Sequence, residues 1–301
     1  MKVIFEQLLV LYVFIAIGFL IGKLLKKKCE HTEILSVLLV NVFLPAKVFK
    51  SFATNFTTHF IAEKYTLLIA SMVLLIILVL LAPLVAKWLG KTKNEQNVYK
   101  YSVPISNYAY LGYVLIEEVF GSLFLTNFIF FAIPFIIYTY TFGYAILTNS
   151  SGSVKKLINP ITIAIVLGAV VGVTGLTIPN ILSSIISSAS ACVGPLSMIL
   201  TGIVLSTFAL WKLFTNVNSY LFLGIKMIVV PAVCFGICLL LGLKEIGFMV
   251  LIITCMPCGL NPIVFSKLVG EDCKPGARLV ILSHLIAIIS LPLWLSLISL
   301  V

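Results

Sequence analysis

Apolar runs long enough to cross a lipid bilayer follow one another along almost the whole chain. A helix needs roughly 20 apolar residues to cross a hydrocarbon core of about 30 Å. Such runs, bounded by charged residues, Gly, Asn or Pro, lie near residues 4–25, 34–52, 65–88, 98–118, 121–147, 158–177, 188–211, 217–242, 246–268 and 277–300. They predict an all-α membrane protein of about ten transmembrane helices. The Ser-rich stretch at 183–190 leaves open a short interfacial helix before the seventh span.

Composition excludes the other broad classes of protein. Of the 301 residues, 61% are hydrophobic and only 10% are charged, against roughly a quarter charged in an ordinary soluble chain. The net charge of +10 comes from scattered lysines without a dense basic tract, so we predict the lipid bilayer as a partner and no nucleic acid. The seven cysteines lie mostly inside apolar runs, which indicates neither a disulfide framework nor a metal site.

The basic residues predict how the chain is oriented in the cell membrane. With ten spans, one side carries Lys23, Lys26, Lys27, Lys28, Lys87, Lys91, Lys93, Lys100, Lys155, Lys156, Lys212, Lys267, Lys274 and Arg278. The other side carries only Lys2, Lys47, Lys50, Lys64 and Lys244. Since short cytoplasmic loops are enriched in Lys and Arg, the first set is predicted to be cytoplasmic and both chain termini extracytoplasmic.

Glycines and prolines in the first half of the chain recur in the second half at an offset of roughly 150 residues. Gly18 and Gly22 in the first span match Gly168 and Gly172 in the sixth. Prolines recur as well, at Pro45, Pro83, Pro104 and Pro134 in the second to fifth spans and at Pro195, Pro231, Pro257 and Pro292 in the seventh to tenth. An odd number of spans per half inverts the second half, as in many secondary carriers. We therefore predict repeats at 1–150 and 151–301; chance matching of residues common in membrane helices is the alternative.

Helices broken near the middle of the membrane bind the substrate in such carriers, because unwound backbone can face the ligand. The fourth and ninth spans both combine a helix-breaking proline with polar side chains. The predicted substrate site consists of Pro104, Ser106, Asn107 and Tyr108 together with Pro257, Cys258, Gly259 and Asn261. Each Asn can both donate and accept hydrogen bonds, so a carboxylate could be held there. The alternative is that these groups only join helices.

Four further residues are candidates for contacts with substrate or ions. Asn41 could lend a polar group to the same cavity or mark a kink. Lys226, in the eighth span without an acidic neighbour, either contacts an anion or extends to the membrane surface. His284 and Glu6 could couple transport to protons, although a packed, hydrogen-bonded role is the alternative for both.

An enzymatic function is the competing class. Cys255 and Cys258 form C-x-x-C, which would suit a membrane-embedded thiol oxidoreductase, and Ser283 with His284 would suit a hydrolase. Neither pattern comes with a second cysteine pair or a complete set of nucleophile, base and orienting group. We therefore predict that the chain is not an enzyme.

The same residues carry a family resemblance. The ninth span reads Met256-Pro257-Cys258-Gly259-Leu260-Asn261-Pro262-Ile263-Val264-Phe265-Ser266-Lys267 and is followed by residues 283–292 in the tenth. Together with Asn107 before Gly112 and Asn41 before Leu44-Pro45, this resembles bacterial members of the auxin efflux carrier family, which includes the plant PIN-type carriers and malate or malonate permeases. The similarity extends over essentially all ten spans.

The resemblance implies two inverted five-helix repeats whose broken fourth and ninth helices cross at the substrate site. It also implies a scaffold at about 1–60 and 157–212, a transport unit at about 64–148 and 216–301, and a homodimer. Ala109 and Val114 stand where the family has glycine and proline, so the substrate stays open within the organic carboxylates. We expect a secondary transporter of mono- or dicarboxylates by alternating access, without a cofactor. A proton or sodium gradient or the membrane potential could drive it, and a channel or sensor on the same scaffold is the alternative.

Overall fold

The computed structural model describes residues 2–25, 32–150, 158–209 and 213–298. Within these ranges the chain is helical and contains no strand. Seven of the described helices are long and apolar enough to cross a membrane, and many large apolar side chains, such as Leu80 and Leu84, point outward. An apolar surface of this kind suits lipid, so the protein is a multi-pass membrane protein. The predicted cytoplasmic residues Lys26, Lys27, Lys28, Lys155, Lys156 and Lys212 lie outside the described ranges.

The helices of the first half end at residue 148. Helix α1 is Lys2–Leu24, α2 covers residues 32–55 with a π-helical turn at Leu39–Phe43, and α3 is Thr58–Leu89. Helix α4 is Lys93–Ser102, α5 covers 108–120, and α6 is Ser122–Thr148. The predicted fourth span therefore consists of two helices, α4 and α5.

The second half begins with α7 at Pro160–Thr174 and α8 at Asn180–Ser206, followed by α9 at Val217–Leu240. Helix α10 is Lys244–Cys255, α11 is Asn261–Leu268 and α12 is Lys274–Ile298. The Ser-rich stretch at 183–190 lies inside α8, which is divided only at Cys192. The predicted ninth span again consists of two helices.

Capping residues explain where several helices begin. Thr57 accepts a hydrogen bond from the N–H of Phe60, so α3 starts well before the predicted residue 65. Thr92 caps α4 in the same way through the N–H of Glu95, ahead of the predicted residue 98. Such caps satisfy N–H groups that the first helical turn leaves free, and apolar windows do not detect them.

The two breaks follow from proline. Residues 103–107 separate α4 from α5, and residues 256–260 separate α10 from α11. Pro104 and Pro257 lack the N–H that would continue each helix, and Met256 has the extended backbone, ψ 145°, that a following proline favours. The predicted interruption of the fourth and ninth spans is therefore present at the expected prolines.

Glycines allow the closest helix contacts. A Cβ atom on Gly18 would overlap the carbonyl oxygen of Ile199, and one on Gly22 would overlap the Ser206 hydroxyl, so α1 packs directly on α8. In the same manner Gly168 and Gly172 of α7 pack on the backbone of α2 around residues 49–56. Both predicted G-x-x-x-G motifs thus lie at interfaces where small residues let backbones approach.

Candidate functional site

The two helix breaks touch each other in the interior. The N–H of Asn107 donates a hydrogen bond to the carbonyl oxygen of Pro257 at 2.7 Å, and the Ser106 hydroxyl donates to the Ile253 carbonyl at 2.7 Å. A Cβ on Gly259 would lie 3.7 Å from the Cα of Asn107, which is van der Waals contact. The predicted site residues on both spans are therefore brought to one buried place.

Side chains fix the geometry of this crossing. The Asn261 amide donates to the Tyr101 hydroxyl at 2.7 Å, which joins α11 to α4. The Nδ2 atom of Asn107 lies 3.4 Å from Nε2 of His284, whose Nδ1 lies 2.8 Å from the Val280 carbonyl oxygen. Because a carbonyl only accepts, Nδ1 carries the proton and Nε2 accepts from the Asn107 amide. On the other break, the Cys258 N–H donates to the Ser283 hydroxyl at 2.9 Å.

Two helix N-termini meet at the crossing. Helix α5 begins at Tyr108 and α11 begins at Asn261, directly after the two breaks. No side chain caps α11, and the main-chain N–H groups of Gly259, Leu260 and Asn261 make no hydrogen bond to any described residue. A helix N-terminus carries roughly half a positive charge and free N–H donors, and this combination binds anions.

A small cavity lies at these N-termini. Its lining comprises Leu44, Tyr101, Ile105, Ser106, Asn107, Tyr108, Ala109, Tyr110, Tyr113, Ile136, Thr139, Tyr140, Ile161, Gly259, Leu260 and Asn261. Its volume of about 40 Å³ has room for a few water molecules, so a larger ligand requires the walls to separate. The hydroxyl of Tyr113 is buried there without a partner among the described residues. A buried donor left unpaired is costly.

Comparison with known proteins identifies the class. A family described as membrane transport protein matches residues 3–156 and 146–295. An uncharacterized transporter of Methanocaldococcus jannaschii is 24% identical over 304 residues, which cover 96% of this chain and 97% of that protein. The chain belongs to the membrane transport protein family. Its resemblance to the auxin efflux carrier family is thereby confirmed.

The predicted site residues of the two breaks, and His284, differ in how they relate to the cavity. Ser106, Asn107, Tyr108, Gly259 and Asn261 line the cavity, whereas Pro104, Pro257 and Cys258 shape the breaks without lining it. His284 does not line the cavity but contacts Asn107 from behind.

Asn41 and Glu6 are not brought to the cavity. The Asn41 side chain is exposed and donates to the Val37 carbonyl in its own helix at 2.8 Å, and α2 contributes Leu44 to the cavity instead. Glu6 lies on an exposed face of α1. Residues three apart share a face of a regular α-helix, but the π-helical turn at Leu39–Phe43 changes the helix phase, so Leu44 is buried and Asn41 is exposed.

Lys226 lies in a π-helical turn of α9, Ile225–Val229. Its side chain is only 3% exposed, and its electrostatic partners are Cys258 and Cys255, at the break between α10 and α11. The side chain is therefore directed into the protein, so the expectation that it extends to the membrane surface does not hold.

Tyrosines are the cavity residues that motif reasoning missed. Tyr101, Tyr113 and Tyr140 all line the cavity with Thr139, yet each lies in an apolar span where an aromatic residue is ordinary. The signal that could have revealed them is their density, since Tyr99, Tyr101, Tyr108, Tyr110 and Tyr113 fall within one span.

A second, larger cavity of about 380 Å³ lies between α1, α2, α5 and α8. The Lys47 ammonium in its wall forms an ion pair with the Glu117 carboxylate, which joins α2 to α5. Lys50, Glu118, Ser187 and Ser190 also line it. This cavity has a mixed polar and apolar lining and shares α5 with the contact between the two breaks.

Proposed function

We propose that the transporter is a secondary carrier of small organic carboxylates, mono- or dicarboxylates such as malate or malonate. The observation that carries the proposal is the pair of helix N-termini, α5 and α11, that meet at one buried cavity. Unpaired N–H groups at Gly259, Leu260 and Asn261 suit a carboxylate. The unpartnered Tyr113 hydroxyl adds a neutral donor.

Alternating access between two inverted repeats is part of the proposal. The contact of Gly18 with Ile199 and the contact of Gly168 with Phe49 are equivalent under a shift of 150 positions, since 168 − 18 and 199 − 49 are each 150. The two five-residue breaks, 103–107 and 256–260, are 153 positions apart. Equivalent features at offsets of 150 and 153 support ten spans in two inverted repeats.

The division into two units is proposed on the packing. Helices α1, α2, α7 and α8 pack mainly on one another, α1 against α8 and α2 against α7. Helix α9 packs on α10, and α3 packs on α4 and α6. The first group corresponds to a scaffold at about 1–60 and 157–212, and the second to a transport unit at about 64–148 and 216–301.

The test is uptake by purified protein in liposomes. Radiolabelled malate, malonate, lactate, citrate and indole-acetate are offered with imposed proton gradients, sodium gradients or membrane potentials. We expect saturable uptake of at least one carboxylate that its unlabelled form competes away. Flux that rises linearly with concentration would indicate a channel, and the absence of both flux and binding for every carboxylate would refute the proposed substrate class.

A further inference from the structure

Lys226 stands apart from the other buried charged groups. Lys47 is paired with Glu117, and Glu95 is paired with Arg278 at 3.2 Å. Lys226 has no acidic partner among the described residues, and the titratable groups closest to it are the thiols of Cys258 and Cys255. A buried cation without a counter-ion is expensive, and such a group inside a membrane protein marks a functional site.

The position of Lys226 connects this charge to the crossing. Its π-helical turn packs against α10 and α12, and the neighbouring carbonyl of Met227 accepts a hydrogen bond from the Trp294 indole at 2.9 Å, which holds the turn in place. Cys258 is followed by Gly259, which lines the cavity. Lys226 therefore lies beside the unwound α10–α11 segment and does not line the cavity.

The other titratable groups behind the crossing supply no negative charge. His284 on α12 is held by the Val280 carbonyl and the Asn107 amide. Cys255 and Cys258 are fully buried thiols, and Ser283 binds the backbone of Cys258. Among the described residues near the α10–α11 break, none supplies a counter-charge to Lys226.

We propose that Lys226 is the counter-cation of the transported carboxylate and determines the preference of the site for anions. It acts through the electric field across the thin α10–α11 segment, where low polarity preserves Coulomb attraction, and does not touch the substrate. The inference rests on the proposed function and deepens it. It has one consequence for energetics: a monocarboxylate and Lys226 together form a neutral pair, while the empty site retains a positive charge.

Binding to purified protein tests the proposal by comparing charged and uncharged ligands of similar shape. Malonate and its uncharged diamide are titrated against the wild type and against Lys226→Met, with Lys226→Gln as a second neutral variant. We expect malonate affinity to fall at least about tenfold in both variants, while diamide affinity stays within about twofold. Lys226→Arg, which keeps the charge, should retain most of the preference for malonate.

Lys64→Met is the matched control, because it removes a partly exposed lysine that pairs with Glu245 at the start of α10. Its ratio of malonate to diamide affinity should equal the wild-type ratio. An unchanged ratio in Lys226→Met and Lys226→Gln would overturn the role of Lys226 while leaving carboxylate transport intact. If wild-type protein binds none of the carboxylates, both this inference and the proposed function are overturned.

Discussion

At the scale of single residues, two buried tyrosines of the predicted fourth span allow contributions to ligand binding and to folding stability to be measured separately. The Tyr113 hydroxyl has no partner among the described residues and lines the cavity, whereas the Tyr99 hydroxyl lies 3.0 Å from that of Ser219. A buried hydroxyl without a hydrogen bond does not stabilise the fold, so we expect Tyr113 to act in ligand binding.

Tyr113→Phe should therefore weaken carboxylate binding about tenfold, roughly 1.4 kcal/mol, with little change in thermal stability. Tyr99→Phe should do the reverse, costing about 1 kcal/mol of stability and leaving affinity unchanged. Calorimetric binding and melting temperature measured on both variants check the pair. A loss of stability without a loss of affinity in Tyr113→Phe would contradict the cavity assignment.

Two asparagines make a second matched pair. Asn261 joins α11 to α4 through the Tyr101 hydroxyl, and Asn41 bonds only within α2. Asn261→Ala removes a cavity group and its hydrogen bond to a buried hydroxyl, so initial uptake should fall at least about tenfold. Asn41→Ala should transport at the wild-type rate. Equal uptake by the two variants would contradict the placement of the site at α11.

At the scale of helices, the glycines of α1 and α7 determine how closely these helices pack against their partners. An added methyl group on Gly18 or Gly168 meets the backbone of the partner helix, and backbone cannot move aside as a flexible side chain can. A Cβ on Gly236 of α9 meets nothing within 4 Å. The same substitution thus has opposite consequences at these positions.

Gly18→Ala and Gly168→Ala should each destabilise the protein in detergent by about 1–3 kcal/mol. Gly236→Ala should be neutral or stabilising by up to about 1 kcal/mol, because alanine loses less conformational freedom in a helix. Thermal melting followed by size-exclusion chromatography measures both effects. Similar melting temperatures for all three variants would show that the helices are farther apart than the structure has them.

The same scale shows what the sequence could and could not predict. Pro104 and Pro257 predicted the broken helices because a missing N–H is a local property. The positions of Asn41 and Lys226 could not be read in this way, since the direction of a side chain depends on helix phase, and the π-helical turn at Ile225–Val229 changes that phase. Tyr113 was missed because its unpaired hydroxyl is a property of the assembled cavity.

At the scale of the whole molecule, alternating access requires the interface between the two proposed units to slide. The ion pair of Lys47 with Glu117 joins the units at one point. Ser51 of α2 and Thr126 of α6 join them at another, with their hydroxyl oxygens 2.7 Å apart. The contact of Lys64 with Glu245, 2.6 Å, instead lies within the proposed transport unit, between α3 and α10.

A covalent link across the first interface should therefore stop transport, while a link inside one unit should not. Ser51→Cys/Thr126→Cys and Lys64→Cys/Glu245→Cys are each treated with a short, reducible bifunctional thiol reagent, and the treated parent protein corrects for the native cysteines. We expect uptake to fall at least about tenfold in the 51/126 pair and to return on reduction, because a transport unit linked to the scaffold cannot move its site to the other side of the membrane.

The 64/245 pair should keep most of its uptake. Undiminished transport by fully linked 51/126 protein would mean that α2 and α6 move together, and the boundary between the units would then have to lie elsewhere.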